Sequence, residues 1–330
     1  MNKFLHLMRA DFLERVRRDS FLLIVGLAVF LGYNTLVGFF RLELGAYRGV
    51  YNAAWIGMVM ALILTFFLSL FGFYLVRGGV ERDRETGVGQ IIAATPTGNL
   101  AYTMGKFGSN LLVLLAVTAV MLIAAAIMLL TKGEDTTLNL WALVSPFLFL
   151  TLPLVALVAA IAVLFETTPY LRSGLGNVIY FFLWVFVLPI GGLNLLGMTL
   201  VEEQVGRYLT QIDPAYSGGL LLGAAHEQAL QTFVWQGFRW SSEVVWERLV
   251  WIGVALLVTA VAAIPFDRFD PARHALKKQR GPKIGPISPL LPRFNLNNLV
   301  NSKPTAWGAP PFLQLLIAEL KLLLKGQSFW

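Results

Sequence analysis

The sequence predicts an all-α polytopic membrane protein. Six transmembrane helices are expected, with an N-terminal amphipathic interfacial helix, a short cytoplasmic helix between spans 2 and 3, and an outer helical segment between spans 5 and 6. Three observations predict this. The 330-residue chain is 57% hydrophobic and only 14% charged. Its apolar residues fall in blocks long enough to cross a bilayer, which no soluble core of this length requires. Lys and Arg concentrate in alternate connecting segments, the pattern of a chain threaded back and forth through a membrane. With no cysteine in the chain, disulfides, thiolate metal sites and cysteine nucleophiles are excluded.

The elements follow in order. In Met1–Asp19, the residues Phe4, Leu5, Met8, Phe12, Leu13 and Val16 recur at helical spacing. Arg9, Asp11, Glu14, Arg15, Arg17 and Arg18 are interleaved with them. An amphipathic helix in the headgroup layer is expected over 1–19, and not a signal peptide, because there is no small-residue cleavage site. The membrane domain is expected over 20–264. Ser20–Phe40 is the first span, long enough at about 1.5 Å per residue to cross a bilayer core. Tyr51–Val76, Gly108–Leu130 and Trp141–Phe165 are the second to fourth, the last expected to be bent by Pro146 and Pro153 or to have backbone carbonyls freed within it. Ser173–Met198 is the fifth, broken near Pro189, and Arg248–Ile264 the sixth, flanked by Trp246 and Trp251. Apart from Arg248 at a boundary, the spans so drawn carry no charged residue or histidine.

Orientation follows from the basic residues. One set of segments carries Lys3, Arg9, Arg15, Arg17, Arg18, Arg77, Arg82, Arg84, Lys106, Arg172 and a basic tail. The other carries fewer, so the N-terminus is expected in the cytoplasm of a cell whose plasma membrane holds the chain. Thr199–Glu247 is acidic and aromatic, and is expected to form short re-entrant or interfacial helices outside. Within it His226-Glu227 starts like a zinc motif, but Leu230 stands where the second histidine belongs, so no metal site is read. Residues 265–311 form a basic, Pro- and Gly-containing linker, read as contacting inner-leaflet lipids and not nucleic acid.

Between spans 2 and 3 lies the most informative loop, Arg77–Phe107. Such a charged stretch stands only where water or protein meets it. A helix is expected over Arg82–Ala94, with Val88, Ile91 and Ile92 as its apolar stripe. Gly87 and Gly89 weaken it, Pro96 ends it near Ala94, and Asn99 is expected to cap the next helix. A short helix of this kind is a handle for a soluble partner, although a merely solvated loop fits the same residues.

The residues Arg84-Glu85-Thr86-Gly87, then Gln90-Ile91-Ile92-Ala93-Ala94-Thr95-Pro96, then Gly105-Lys106, resemble the first cytoplasmic loop of ABC-2 type transporter permeases. Gly89 departs from that pattern, in which a bulkier residue is usual. The resemblance implies that 82–94 is a coupling helix docking on an ABC ATP-binding subunit. Partner contacts are then expected at Arg84, Glu85, Thr86, Gly87, Gln90, Ile91, Ile92, Thr95 and Pro96. It also implies an exporter assembled from two six-span units, the second being another copy, a paralogue or a missing half. ATP and Mg would sit on the partner, for the chain carries no GxxxxGK[ST] loop and is read as neither an enzyme nor a cofactor binder.

The last stretch, Phe312–Trp330, matches the first: Phe4/Phe312, Leu5/Leu313, Leu7/Leu315, Ala10/Ala318, Ser20/Ser328 and Phe21/Phe329. It is expected to be an amphipathic helix that either opens a second repeat, with this chain as the first half of a duplicated permease, or stands as a terminal surface helix. Two functions compete on this evidence. One is a permease driven by a separate ATPase, the other a non-transporting scaffold or sensor whose loop recruits a cytoplasmic partner. Uncharged spans count against ion-coupled transport and intramembrane hydrolysis, which need acids, bases or metal ligands at mid-bilayer.

Overall fold

Asn52 sets the start of the helix around which the others assemble. In the computed structural model, which describes residues 2–269 apart from 38–39, 188–192, 215, 217 and 225–229, the chain opens with α1 (Asn2–Val16) and α2 (Asp19–Val37). A hairpin follows, β1 (Phe40–Leu44) and β2 (Tyr47–Gly49). The Asn52 side chain then accepts the Trp55 N–H at 2.8 Å and starts α3 (Ala53–Val76). Two short helices, α4 (Gly79–Glu85) and α5 (Val88–Ala93), lead into α6 (Asn99–Lys132). Next come α7 (Leu140–Pro146) and α8 (Leu152–Thr167), joined by a π-helical turn over Phe147–Thr151. The chain continues through α9 (Gly174–Val187), α10 (Leu193–Leu195) and α11 (Met198–Ile212) to β3 (Leu220–Ala224), β4 (Gln231–Phe233) and α12 (Ser242–Ala262). The described residues belong to one compact unit, Met1–Ala275. The expected helix at 312–330, most of the linker, and the breakpoint at Pro189 lie outside them.

Four helical stretches are long and apolar enough to cross a membrane: Ala53–Glu85, Asn99–Lys132, Leu140–Thr167 and Ser242–Ala262. This marks a helical membrane protein. Asp19–Thr35 and Gly174–Val187 are apolar but shorter. α3 is buried on nearly every side, with Ile56, Met60, Ala61, Leu64, Leu68, Phe73 and Val76 fully covered by α2, α6, α7 and α8. α12 packs mainly on α8. By contrast Leu22, Leu23 and Phe30 of α2 and Phe182 and Phe186 of α9 stay exposed, as residues facing lipid would. Pro146 ends α7 and Pro153 lies in the first turn of α8, within one continuous helical stretch over Leu140–Thr167. The π turn between them redirects the ladder so that Leu152 N donates to Phe147 O, five residues back. Inside this turn Thr151 shares a 2.9 Å hydroxyl hydrogen bond with Thr65 of α3.

The fold is mostly helical, not all-α. A four-stranded sheet, in the order β3-β1-β2-β4, covers one end of the bundle. β1 pairs antiparallel with β3 from Phe40↔Ala224 to Leu44↔Leu220, and β2 pairs parallel with β4. Leu42, Leu44 and Phe233 bury their side chains with Trp55, Trp235 and the α11 stripe Leu200, Val201, Val205 and Leu209. Thr199–Glu247 therefore contributes one amphipathic helix and then strands and extended chain, where only helices were expected. The sheet is pinned to the α6–α7 connection by Arg48, whose guanidinium donates to both Glu134 oxygens at 3.0 and 2.7 Å.

Several boundaries move. The first span's helix ends at Val37 because the chain turns into β1, and the last starts at Ser242, capped by Ser241. Arg248 thus sits within α12 and not at its boundary. Asn99 is the first residue of α6 and not its cap; its amide donates to Ala263 O and Phe266 O at 3.3 Å. Gly57 marks the closest approach of α3 to α7. A Cβ there would lie 2.6 Å from Leu143 O and 2.8 Å from Leu143 Cα, backbone atoms with no side-chain freedom to yield. Gly57→Leu should therefore part the two helices at a cost of about 1–3 kcal/mol. A lower unfolding temperature of the detergent-purified protein is the expected outcome, and an unchanged one would show that the contact is loose.

Candidate partner-docking site

The end of the bundle opposite the sheet carries α1, α4 and α5. The single helix expected over 82–94 is two helices, because Gly87 takes a left-handed φ of 76° and turns the chain between them. α5 still ends at Ala93, before Pro96, as the sequence predicts.

Beneath these short helices lies a buried cluster of charge. Lys106 of α6, only 2% exposed, donates to Asp11 Oδ2 at 3.0 Å and Asp83 Oδ2 at 2.8 Å. Asp83 also accepts the Tyr102 hydroxyl at 2.7 Å. Asp11 takes further bonds from Arg82 at 2.7 Å, Ser109 at 3.1 Å and Arg15 at 3.4 Å. Arg15 in turn donates to Val76 O at 3.0 Å, the end of α3, and to the Asn110 amide oxygen. Glu166, at the end of α8, closes the cluster by accepting the N–H groups of Gly78 and Val80, where α4 begins. Three cations, Arg15, Arg82 and Lys106, thus stand against three carboxylates, Asp11, Asp83 and Glu166. Removing water from any one alone would be costly; together they are paired and hydrogen-bonded.

This arrangement corrects the reading of the first helix. Asp11 and Arg15 are 8% and 4% exposed and turn toward α6 alongside Met8, Phe12 and Val16, while Leu13 is exposed. The inward face is therefore mixed, not apolar. Burial would raise the Asp11 carboxyl, but Lys106, Arg15 and Arg82 outweigh it and hold it below the ordinary value of 3.8.

A second support comes from the residues after α12, which were assigned to a linker. Phe266 stacks on Tyr102 at 4.7 Å between ring centres, and Phe269 meets both rings edge-on. Val80 and Ile92 complete this patch. Gly89 is explained by it: a Cβ at that position would lie 2.6 Å from Phe269 Cδ1. Arg84 bonds Asp267 at 3.2 Å, and Arg268 donates to Thr95 O at 2.6 Å.

The expected partner contacts divide accordingly. Glu85, Thr86, Gln90, Ile91, Thr95 and Pro96 are exposed, with Ile91 at 68% the most exposed apolar side chain of the loop. Arg84, Gly87 and Ile92 are half-buried, Arg84 and Ile92 against the chain's own residues. Asp11, Arg15, Asp83, Glu166 and Phe269 also belong to this site, although none was expected there. One signal was available: Met8, Asp11, Phe12, Arg15 and Val16 share one helical phase. No protein-family model matches the chain, and a search of curated proteins finds no match either.

Two outcomes are expected. Lys106→Met leaves Asp83 buried with only the Tyr102 hydroxyl and takes one of three cations from Asp11, at a cost of about 3–5 kcal/mol. Limited proteolysis should then cut near α1 and α4 at rates at least tenfold higher than in the wild type. The pH response has a definite sign. Because the folded-state pKa of Asp11 is depressed, its contribution is full above 3.8 and is lost as pH falls through the folded value. A fluorescent label at Leu13 should report a docked α1 from about pH 8 to about pH 5, with release only in stronger acid.

Proposed function

We propose that this chain is the membrane-spanning permease subunit of an ATP-driven exporter of the ABC-2 type. In this reading the two shorter apolar helices, α2 and α9, also cross the bilayer, giving six spans with the N-terminus in the cytoplasm. The α4–α5 segment is the coupling element, and a separate ATP-binding subunit docks on its exposed face. Two six-span units face each other in the assembly. Export of an apolar or amphiphilic molecule fits spans poor in fixed charge.

One observation carries the proposal. A small surface bearing Glu85, Thr86, Val88, Gln90, Ile91 and Pro96 stands clear of the bundle, yet the helix beneath it is tied by ion pairs to α1 and α6 and by backbone hydrogen bonds to Glu166 of α8. A solvated connecting loop needs no such foundation. A lever does, because a push on its face reaches the spans only if the linkage does not give.

Glu85→Lys combined with Ile91→Asp tests it. Both side chains are exposed, so stability should change little. The variant is expected to lose co-purification of the ATP-binding subunit and ATP-dependent transport together. Normal coupling of ATP hydrolysis to transport in that variant would remove the loop from this role.

A further inference from the structure

At the sheet end a second feature stands apart from the docking face. A cavity of about 950 Å³ opens between α11, the extended chain over 234–241 and the first turns of α12. Arg248 lines it and is 3% exposed. Its Nη1 donates to Asn194 O at 2.7 Å and its Nη2 to Asn194 Oδ1 at 3.4 Å. Its Nε–H has no acceptor, and among the described residues no carboxylate lies within ion-pair distance of it. Trp235, 4% exposed and lining the same cavity, also has an indole N–H without an acceptor. The Glu247 carboxylate acts on this guanidinium only from beyond ion-pair distance, so its direct partners are neutral, which is costly, and two unpartnered N–H donors on residues lining one cavity call for an acceptor.

The carboxylates that share the cavity do not supply one. Glu203, Glu243 and Glu247 are exposed, and Glu203 pairs with Arg207 at 3.2 Å. They form a hydrated rim, while Arg248 and Trp235 are the covered part of the wall. Trp141 at the start of α7 and Trp246 in α12 are 58% and 68% exposed, as indoles at a membrane–water interface are.

We propose that this cavity is a binding site for an oxyanion, the phosphate or carboxylate of an amphiphile's head group, held by Arg248 and Trp235. Any amino or hydroxyl substituent on the head group meets a rim of mixed charge, with Glu203, Glu243 and Glu247 beside Arg207 and Arg239. The site is separate from the α4–α5 surface and does not depend on the coupling reading. Free phosphate shares the same chemistry and is the other source of the anion.

The test uses the full chain in nanodiscs of phosphatidylcholine. Phosphatidylglycerol is titrated in and bound lipid is read by native mass spectrometry. Saturable retention of phosphatidylglycerol over phosphatidylcholine is expected, weakened at least tenfold in Arg248→Met and about threefold in Trp235→Phe, which keeps the ring and loses the donor. Lys132→Met, at the same end but away from the cavity, should bind as the wild type does. Inorganic phosphate that displaces the lipid at low millimolar concentration would support the site with the free anion as its ligand; failure to displace would support the head group. Equal retention of the two lipids together with no phosphate binding overturns the proposal. So does wild-type binding by Arg248→Met or, if that variant does not fold, by Trp235→Phe.

Discussion

Lys106 is the constraint on which one end of the molecule depends. Its ammonium sits in α6 between a carboxylate from α1 and another from α4. The two acids are far apart in sequence, and the helices of the docking face are too short to hold themselves in place. α4 has seven residues and α5 six, well below the length at which an isolated helix is stable in water. Their order is imposed from below, by charges that have no better partners once water is excluded. Glu166 acts in the same sense from α8, supplying the acceptors that the first N–H groups of α4 lack.

The consequence is mechanical. An exposed surface carried on weak helices would ordinarily be mobile. Here that surface is fixed to α6 by Lys106 and to α8 by Glu166, and the ring stack of Tyr102, Phe266 and Phe269 anchors it to the chain leaving α12. In the proposed exporter this lets a soluble motor displace spans that hold few charges of their own. The sheet end is built differently. Apolar packing of Trp55, Trp235 and the α11 stripe carries it, with Arg48–Glu134 as a partly exposed strap.

Much of this was legible in the residues. The apolar blocks gave the helices because hydrophobic length is a local property, and Pro96 and Gly87 marked real interruptions. What escaped the sequence was long-range. β1 and β3 are about 180 residues apart in the chain, and neither run alternates strongly enough to announce a strand. Asp11 and Arg15 looked like members of a solvated polar face, since nothing local says that Lys106 and Asn110 will meet them. Gly89 departed from the expected pattern and made sense only when Phe269 was found against it. Residues 265–269 had the composition of a linker, yet two phenylalanines within four positions fold back on Tyr102.

Buried charge joins α1, α4–α5 and α6, and so they should move as one body. Distance measurement between spin labels at Leu13 of α1 and Val88 of α5, both exposed, tests it most directly. One narrow distribution is expected in the wild type, unchanged when nucleotide is cycled on an associated ATPase, and a broad one once Lys106 is replaced by Met. A broad distribution in the wild type, or the same narrow one without Lys106, would contradict it.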